Sequence, residues 1–288
     1  MLGLDFVKAN RDAVQRAIEV KGVDLDLEAL LALDAEVRGL KTEVERLRAE
    51  RNAISAQFPK ASPEEKAELG RQAKEAGARA SALEGELGEK EAALKALMLK
   101  LPGIPYEGAP VGPDESYNVV IRTVGEPPRF GFEPLDHVAL IEKNGWGDLS
   151  RVTQVSGSRT YCLKGRLALL ETKLMGWALE RIAAAGFTPI TVPAIAREQA
   201  FLNQGQFPGH REETYELPND DLWLAGTAEV VLTSLHSGEI VEADKLPILY
   251  AGFSPCFRRE AGSAGKDVRG LLRVHQFVKV EQYVICEA

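Results

Sequence analysis

Cysteine is scarce in this 288-residue chain: Cys162, Cys256 and Cys286 are odd in number and far apart. That excludes a disulfide framework, and the missing paired-ligand spacing excludes a zinc site as well. A reducing, cytoplasmic setting is the resulting expectation. Basic excess is also missing, since 35 Lys and Arg face 43 Asp and Glu for a net charge of −8. Any nucleic-acid contact is therefore expected to be local. No run reaches the roughly 18 apolar residues of a membrane span, and residues 1–8 lack the basic-then-apolar pattern of a secretory leader. No membrane partner is expected. Neither a Walker-type glycine loop nor a Gly-x-Gly-x-x-Gly motif after a strand is present, so the usual nucleotide folds are not indicated. The 45% apolar and 27% charged content is that of a folded globular protein. At roughly 150 residues per domain, two domains are expected.

From about Leu27 to Leu101 the chain becomes rich in Ala, Leu, Glu, Lys and Arg, with proline only at Pro59 and Pro63. Positions 30, 33, 37, 40, 44, 47, 51, 54 and 58 are apolar except Arg51, in the three-and-four spacing of a coiled-coil seam. A second stripe runs from Leu69 through Ala73, Ala76, Ala80, Leu83, Leu87, Lys90, Leu94 and Leu97 to Leu101. Between them Ser62, Pro63 and Glu65 form the signature of a helix start with a capping box. Two helices folded back as an antiparallel pair follow, each reaching roughly 45 Å at 1.5 Å per residue, and the hairpin is expected to project from the body. Residues 27–101 carry 13 basic and 14 acidic side chains. Arg46, Arg48, Arg51 and Lys60 gather towards the tip as candidate phosphate contacts for RNA. A short helix around Arg11–Lys21 is placed at the arm's base. The Pro- and Gly-rich stretch from Leu101 to Pro113 marks the boundary, giving an arm of residues 1–105 and a body of residues 106–288.

In the body an amphipathic helix is expected from about Arg166 to Ala185, closed by Gly186. Strand-like runs follow at Ile190–Val192, Leu222–Leu224, Ile248–Phe253 and Val274–Ile285. Strands and helices do not alternate regularly, so a mixed or antiparallel α+β body fits better than a doubly wound sheet. Thr227-Ala228-Glu229 offers a hydroxyl and a carboxylate to a substrate ammonium, or caps the following helix. Between Phe257 and Phe277 a strand, a glycine-rich loop and a second strand make a hairpin with five cations, Arg258, Arg259, Lys266, Arg269 and Arg273. Arginine forks suit phosphate and Phe277 offers a stacking face to a base. Period two puts residues 277, 279 and 281 on one face, so Glu281 can lie beside a nucleotide where an amino group would sit.

The stretch Phe257 to Gln282 resembles motif 2 of class II aminoacyl-tRNA synthetases, and Gly186–Pro193 resembles their motif 1. More narrowly, Arg269–Phe277, Thr227–Glu229, Gln154–Arg159 and Pro134–His137, with the helical arm in front, resemble the seryl-tRNA synthetase family. The resemblance implies an α+β fold in which a two-helix arm precedes a class II antiparallel sheet flanked by helices. It implies an ATP-dependent ligase that joins L-serine to tRNA(Ser), and in the family tRNA(Sec), through a seryl-adenylate. By position in the motif, Arg258 would hold the α-phosphate, with Arg259 beside it. Glu260 would contact the adenine end, Val274 would supply backbone contacts and Phe277 would stack on adenine. Thr227, Ala228, Glu229 and Glu281 would receive serine, and the loop from Ala261 to Leu272 would meet ATP or the acceptor end of tRNA. A homodimer through motif 1 is implied too. Asn203-Gln204-Gly205-Gln206 departs from the family's Gly-Thr-Gly before Gln. The sequence stops at Ala288, before the family's motif 3, so the Mg²⁺ ligands are expected beyond it and the site within it is truncated. Two other readings stand beside the ligase: a non-catalytic RNA-binding scaffold, and a synthetase-like ligase loading a carrier protein.

Overall fold

The computed structural model describes residues 2–261 and 269–287. Lys266 and the rest of the glycine-rich loop's middle lie outside the described residues. The chain divides into two compact units, residues 1–123 and 124–288.

The first unit begins with α1 (Leu4–Ala9) and α2 (Arg11–Val20), the second of which matches the expected short helix. The long pair follows as α3 (Leu27–Gln57) and α4 (Pro63–Lys100). Asp26 caps α3 by accepting from the Glu28 and Ala29 amides, and Ser62 with Glu65 closes the expected capping box on α4. The predicted stripes are the contact faces: Leu30, Val37, Val44 and Leu47 are buried from one helix, and Ala76, Ala80 and Leu94 from the other, joined by Met98 beside the stripe. Arg51, the polar break, crosses where Gly77 leaves room, its Cδ 3.6 Å from where a Cβ would stand. At the base Val7, Val14 and Ile18 join Leu27, Leu31 and Leu101 in one cluster. Buried beside them is Asp34, which the sequence did not single out. It accepts from Lys8 at 2.7 Å and Arg38 at 3.0 Å.

The second unit holds α5 (His137–Asn144), α6 (Leu149–Ser156) and α7 (Arg166–Ala184), then β1 (Thr188–Thr191) and β2 (Ile195–Ala196). After α8 (Glu198–Gln204) come β3 (Glu216–Leu217), β4 (Leu222–Leu224), α9 (Glu229–Leu235), β5 (Ile248–Phe257) and β6 (Gln276–Ile285). One sheet has the order β1-β5-β6 and the other β2-β4-β3. The first sheet is mixed, within the expected mixed or antiparallel α+β body: β1 runs parallel to β5, with Thr188 opposite Tyr250. The long connection between them, which carries β2 to β4 and two helices, supplies the crossover that parallel strands require. All other strand pairs are antiparallel. Among the described residues no helix is long and apolar enough to cross a membrane.

Candidate active site

The site is built on the β5–β6 hairpin, whose ten-residue register runs from Ile248 opposite Ile285 to Phe257 opposite Gln276. Gly252 faces Glu281 in that register. A Cβ on Gly252 would stand 3.1 Å from the Ala228 Cβ and 2.9 Å from a Leu232 methyl, so the missing side chain lets α9 lie close on the sheet. The start of α9 is thereby carried to the side of Glu281. Thr227 and Glu229 do not project from an extended segment; they open a helix, and the Thr227 hydroxyl accepts from the Glu229 amide at 3.3 Å. One hydroxyl thus meets both the first amide of α9 and Glu281.

Four groups converge there. The Thr227 hydroxyl donates to Glu281 Oε2 at 2.5 Å, and the Glu229 amide donates to the same oxygen at 3.1 Å. Lys279 Nζ donates to Thr227 Oγ1 at 2.6 Å and to Glu281 Oε1 at 2.8 Å. Burial pushes the Glu281 carboxyl up, but Lys279, the Thr227 hydroxyl and the Glu229 amide outweigh it and hold the group below its ordinary value. The result is an ionised carboxylate behind a polar cavity of about 470 Å³ that its partners Thr227, Glu229 and Lys279 line.

Arg258 opens into the same cavity. Its guanidinium lies 5.2 Å from the centre of the Phe277 ring, a cation–π pair. Gly226 makes room for it, since a Cβ there would sit 3.4 Å from Arg258 Cγ. Its backbone is fixed from both sides: the Arg258 amide donates to the His275 carbonyl at 2.9 Å, and His275 Nδ1 lies 3.0 Å from the Arg258 carbonyl. Glu260, with φ of 54°, lines the cavity and is paired with Arg273. The cavity therefore has a cationic, ring-backed part and an anionic part, a division that fits an anionic chain and an amino group on one ligand.

Other expected residues are placed differently. Val274 and Ala228 are buried, and Phe277 and Glu281 stand behind Arg258 and Lys279. The Arg259 amide donates to the Glu213 carbonyl at 2.8 Å, and its side chain is not among the residues lining the cavity. The root of the glycine-rich loop is held by α5, because the Leu271 amide donates to His137 Nε2 at 3.1 Å. Gly270, at φ of +88°, passes so close to that imidazole that no side chain would fit. In the first unit Arg46 is paired with Glu43 and Glu50, and Arg48 with Glu84 across the helices. Arg51 and Lys60 are exposed.

Sequence reasoning missed Lys279, although its place between Phe277 and Glu281 on one strand face was a usable signal. It also missed His210, Glu213 and Gln206, which line the cavity from a loop without periodicity. The departing residues Gln204 and Gly205 belong to that wall as well, at the left-handed end of α8. Among the described residues no three His, Cys, Asp or Glu side chains converge to hold a metal ion.

Residues 1–105 match the family described as the seryl-tRNA synthetase N-terminal domain, and residues 214–288 match the tRNA synthetase class II core domain of the G, H, P, S and T enzymes. A serine–tRNA ligase of Deinococcus radiodurans is 52% identical over 288 residues, the whole of this chain and 68% of the relative. The Mycobacterium tuberculosis serine–tRNA ligase is 43% identical over 287 residues, again covering 68% of its length. Among solved structures, seryl-tRNA synthetase from Pyrococcus horikoshii complexed with ATP aligns with a TM-score of 0.86 and 35% identity, over 99% of this chain and 69% of that one. A cytoplasmic serine–tRNA ligase from Naegleria fowleri in complex with AMP aligns at 0.79 and 26% identity, over 98% and 65%. With a relative 52% identical along its full length and its N-terminal helical hairpin matched by the family's own domain, the chain belongs to the seryl-tRNA synthetase family.

Proposed function

We propose that this protein activates L-serine with ATP and transfers it to tRNA(Ser), and that its two units divide these tasks. In the reaction the serine carboxylate attacks the α-phosphate of ATP, the bond to pyrophosphate breaks, and the terminal ribose hydroxyl of tRNA then takes the seryl group from the adenylate. The observation that carries this reading is the pairing, at one cavity, of Thr227, which holds the ionised Glu281 behind it, with an Arg258 laid over Phe277. Glu281 and Thr227 receive the serine ammonium, and Arg258 neutralises charge that builds on the α-phosphate as the bond to oxygen forms. Phe277 offers its ring to adenine. Catalysis by such a site rests on positioning and charge stabilisation and needs no covalent help from the protein. The described residues offer no cage for Mg²⁺, and no step is assigned to it.

The arm supports the RNA half of the reading. Its nearly balanced charge suits recognition of RNA shape with few phosphate contacts, and Arg46 and Arg48 can exchange their weak surface pairs for phosphate. A second copy of the chain would cover α7, which buries no residue and exposes Leu169, Leu170, Leu174 and Trp177. The test is serine-dependent exchange of labelled pyrophosphate into ATP by the complete gene product, with charging of tRNA(Ser) measured beside it. Exchange that requires serine is expected. Removing residues 35–95 should leave exchange largely intact and abolish charging; equal loss of both would make the arm a structural element only.

A further inference from the structure

Lys279 sits where the proposed reaction needs a different cation. Its ammonium makes short contacts to the Thr227 hydroxyl and to Glu281 Oε1, the two groups assigned above to the amino group of serine. An alkylammonium on a hydroxyl and a carboxylate reproduces the chemistry an α-ammonium would bring, and two cations cannot share that position without strong repulsion. The two carboxylate oxygens are held by different partners. Oε2 is fixed by the Thr227 hydroxyl and the Glu229 amide, while Oε1 is held by Lys279. Withdrawal of Lys279 would thus leave Glu281 oriented and its Oε1 open. The lysine side chain is 29% exposed and lines the cavity, and its flexible four-carbon stem gives the ammonium somewhere to go.

We propose that Lys279 is an internal stand-in for the substrate's α-ammonium: it occupies the amino end of the site, balances the charge there, and withdraws when the amino acid arrives. It is a positioning residue that sets affinity for the amino acid. This inference rests on the reading of Thr227 and Glu281 as the receivers of serine.

The groups facing Glu281 define the expected pH behaviour. On its own strand stands Lys279, on β5 the buried Cys256 thiol, which burial pushes up, at the start of α9 Thr227 and Glu229, and on the cavity wall Arg258. Of these, Lys279 is the cation in contact with the carboxylate. Without it only Thr227 and the Glu229 amide remain to oppose burial, and Glu281 takes up a proton at higher pH than in the native protein.

Serine-dependent pyrophosphate exchange by the complete gene product, followed against pH for the native protein, Lys279→Met, Lys279→Gln and Lys279→Arg, tests the proposal. In the two neutral variants the KM for serine should be about fivefold lower than native at alkaline pH, where a competitor for Glu281 has been removed. It should then climb as the pH falls, approaching about tenfold per unit once Glu281 protonates, while kcat stays within about twofold. Lys279→Arg should keep the native profile. A KM raised by one factor at every pH would mean that the ammonium holds the substrate directly, and a fall in kcat with KM unchanged would assign it to the phosphates; either overturns the proposal. Absence of serine-dependent exchange in the native protein would instead remove the functional reading beneath it.

Discussion

In the arm, the buried seam residues meet partners that a one-dimensional repeat already pairs; in the body, residues from Gln204 to Lys279 meet at one cavity without sharing any period. The arm's contacts are redundant. Loss of one side chain among Leu30, Val37, Val44 and Leu47 leaves the others in place, as expected of a seam built from repeated knobs. The body's site has no such redundancy, because Thr227, Lys279 and Glu281 each hold the other two. Tolerance to substitution should therefore differ sharply between the units, and three substitutions would break or sharpen that contrast.

The largest effect is expected from Arg258→Ala. It removes the guanidinium from the cavity and from the Phe277 ring, and serine-dependent exchange should fall on the order of a thousandfold. Binding of tRNA through the arm should stay unchanged in a filter or anisotropy assay. Unaltered exchange kinetics would refute the role given to Arg258. Gly252→Val comes next. Its side chain would collide with Ala228 and the fully buried Leu232, lift the start of α9 and part Thr227 from Glu281. Exchange should drop about tenfold or more, chiefly through serine KM, with the melting of the arm unaffected. A variant with native kinetics would show that the close approach of α9 does not matter.

The smallest effect belongs to the arm. Asp34→Asn removes the anion shared by Lys8 and Arg38 at its base and should cost about 1–2 kcal/mol, the lower part of the range for hydrogen bonds to charged groups because both cations are partly exposed. Burial pushes the Asp34 carboxyl up, yet Lys8 and Arg38 bring it below its ordinary 3.8. A lowered folded value means the stabilisation is complete above 3.8 and is lost as the pH falls through that lower value. Thermal melts at neutral pH should thus separate the two proteins, and melts in strong acid should bring them together. Equal melting temperatures at neutral pH would show that Asp34 contributes nothing.

Much of the arm was legible in the sequence because helix caps and seams are local. Ser62, Pro63 and Glu65 specify their turn within four residues, and the stripes specify which faces meet. Asp34 escaped this reading, since its partner Lys8 lies in a separate helix and no spacing connects them. In the body the strands Leu222–Leu224 and Ile248 onward were visible as β-branched and aromatic runs between turn residues. The parallel pairing of β1 with β5 was not, because direction depends on the path of the intervening crossover. Thr227, Glu229, Glu281 and Arg258 could be named from local motifs and resemblance. Their mutual contacts could not, nor could the intrusion of Lys279 among them.

The sequence alone determined the helical hairpin, its turn, and the chemical character of the residues available to a nucleotide and an amino group, because these depend on side-chain type and on spacings of a few residues. Tertiary structure alone decided that Gly252 admits α9 to the sheet, that Arg258 lies over Phe277, and that Lys279 and Thr227 share Glu281. Those outcomes are set by strand register and close packing between segments dozens of residues apart, where a shift of an ångström makes or breaks a hydrogen bond and no local preference can supply it.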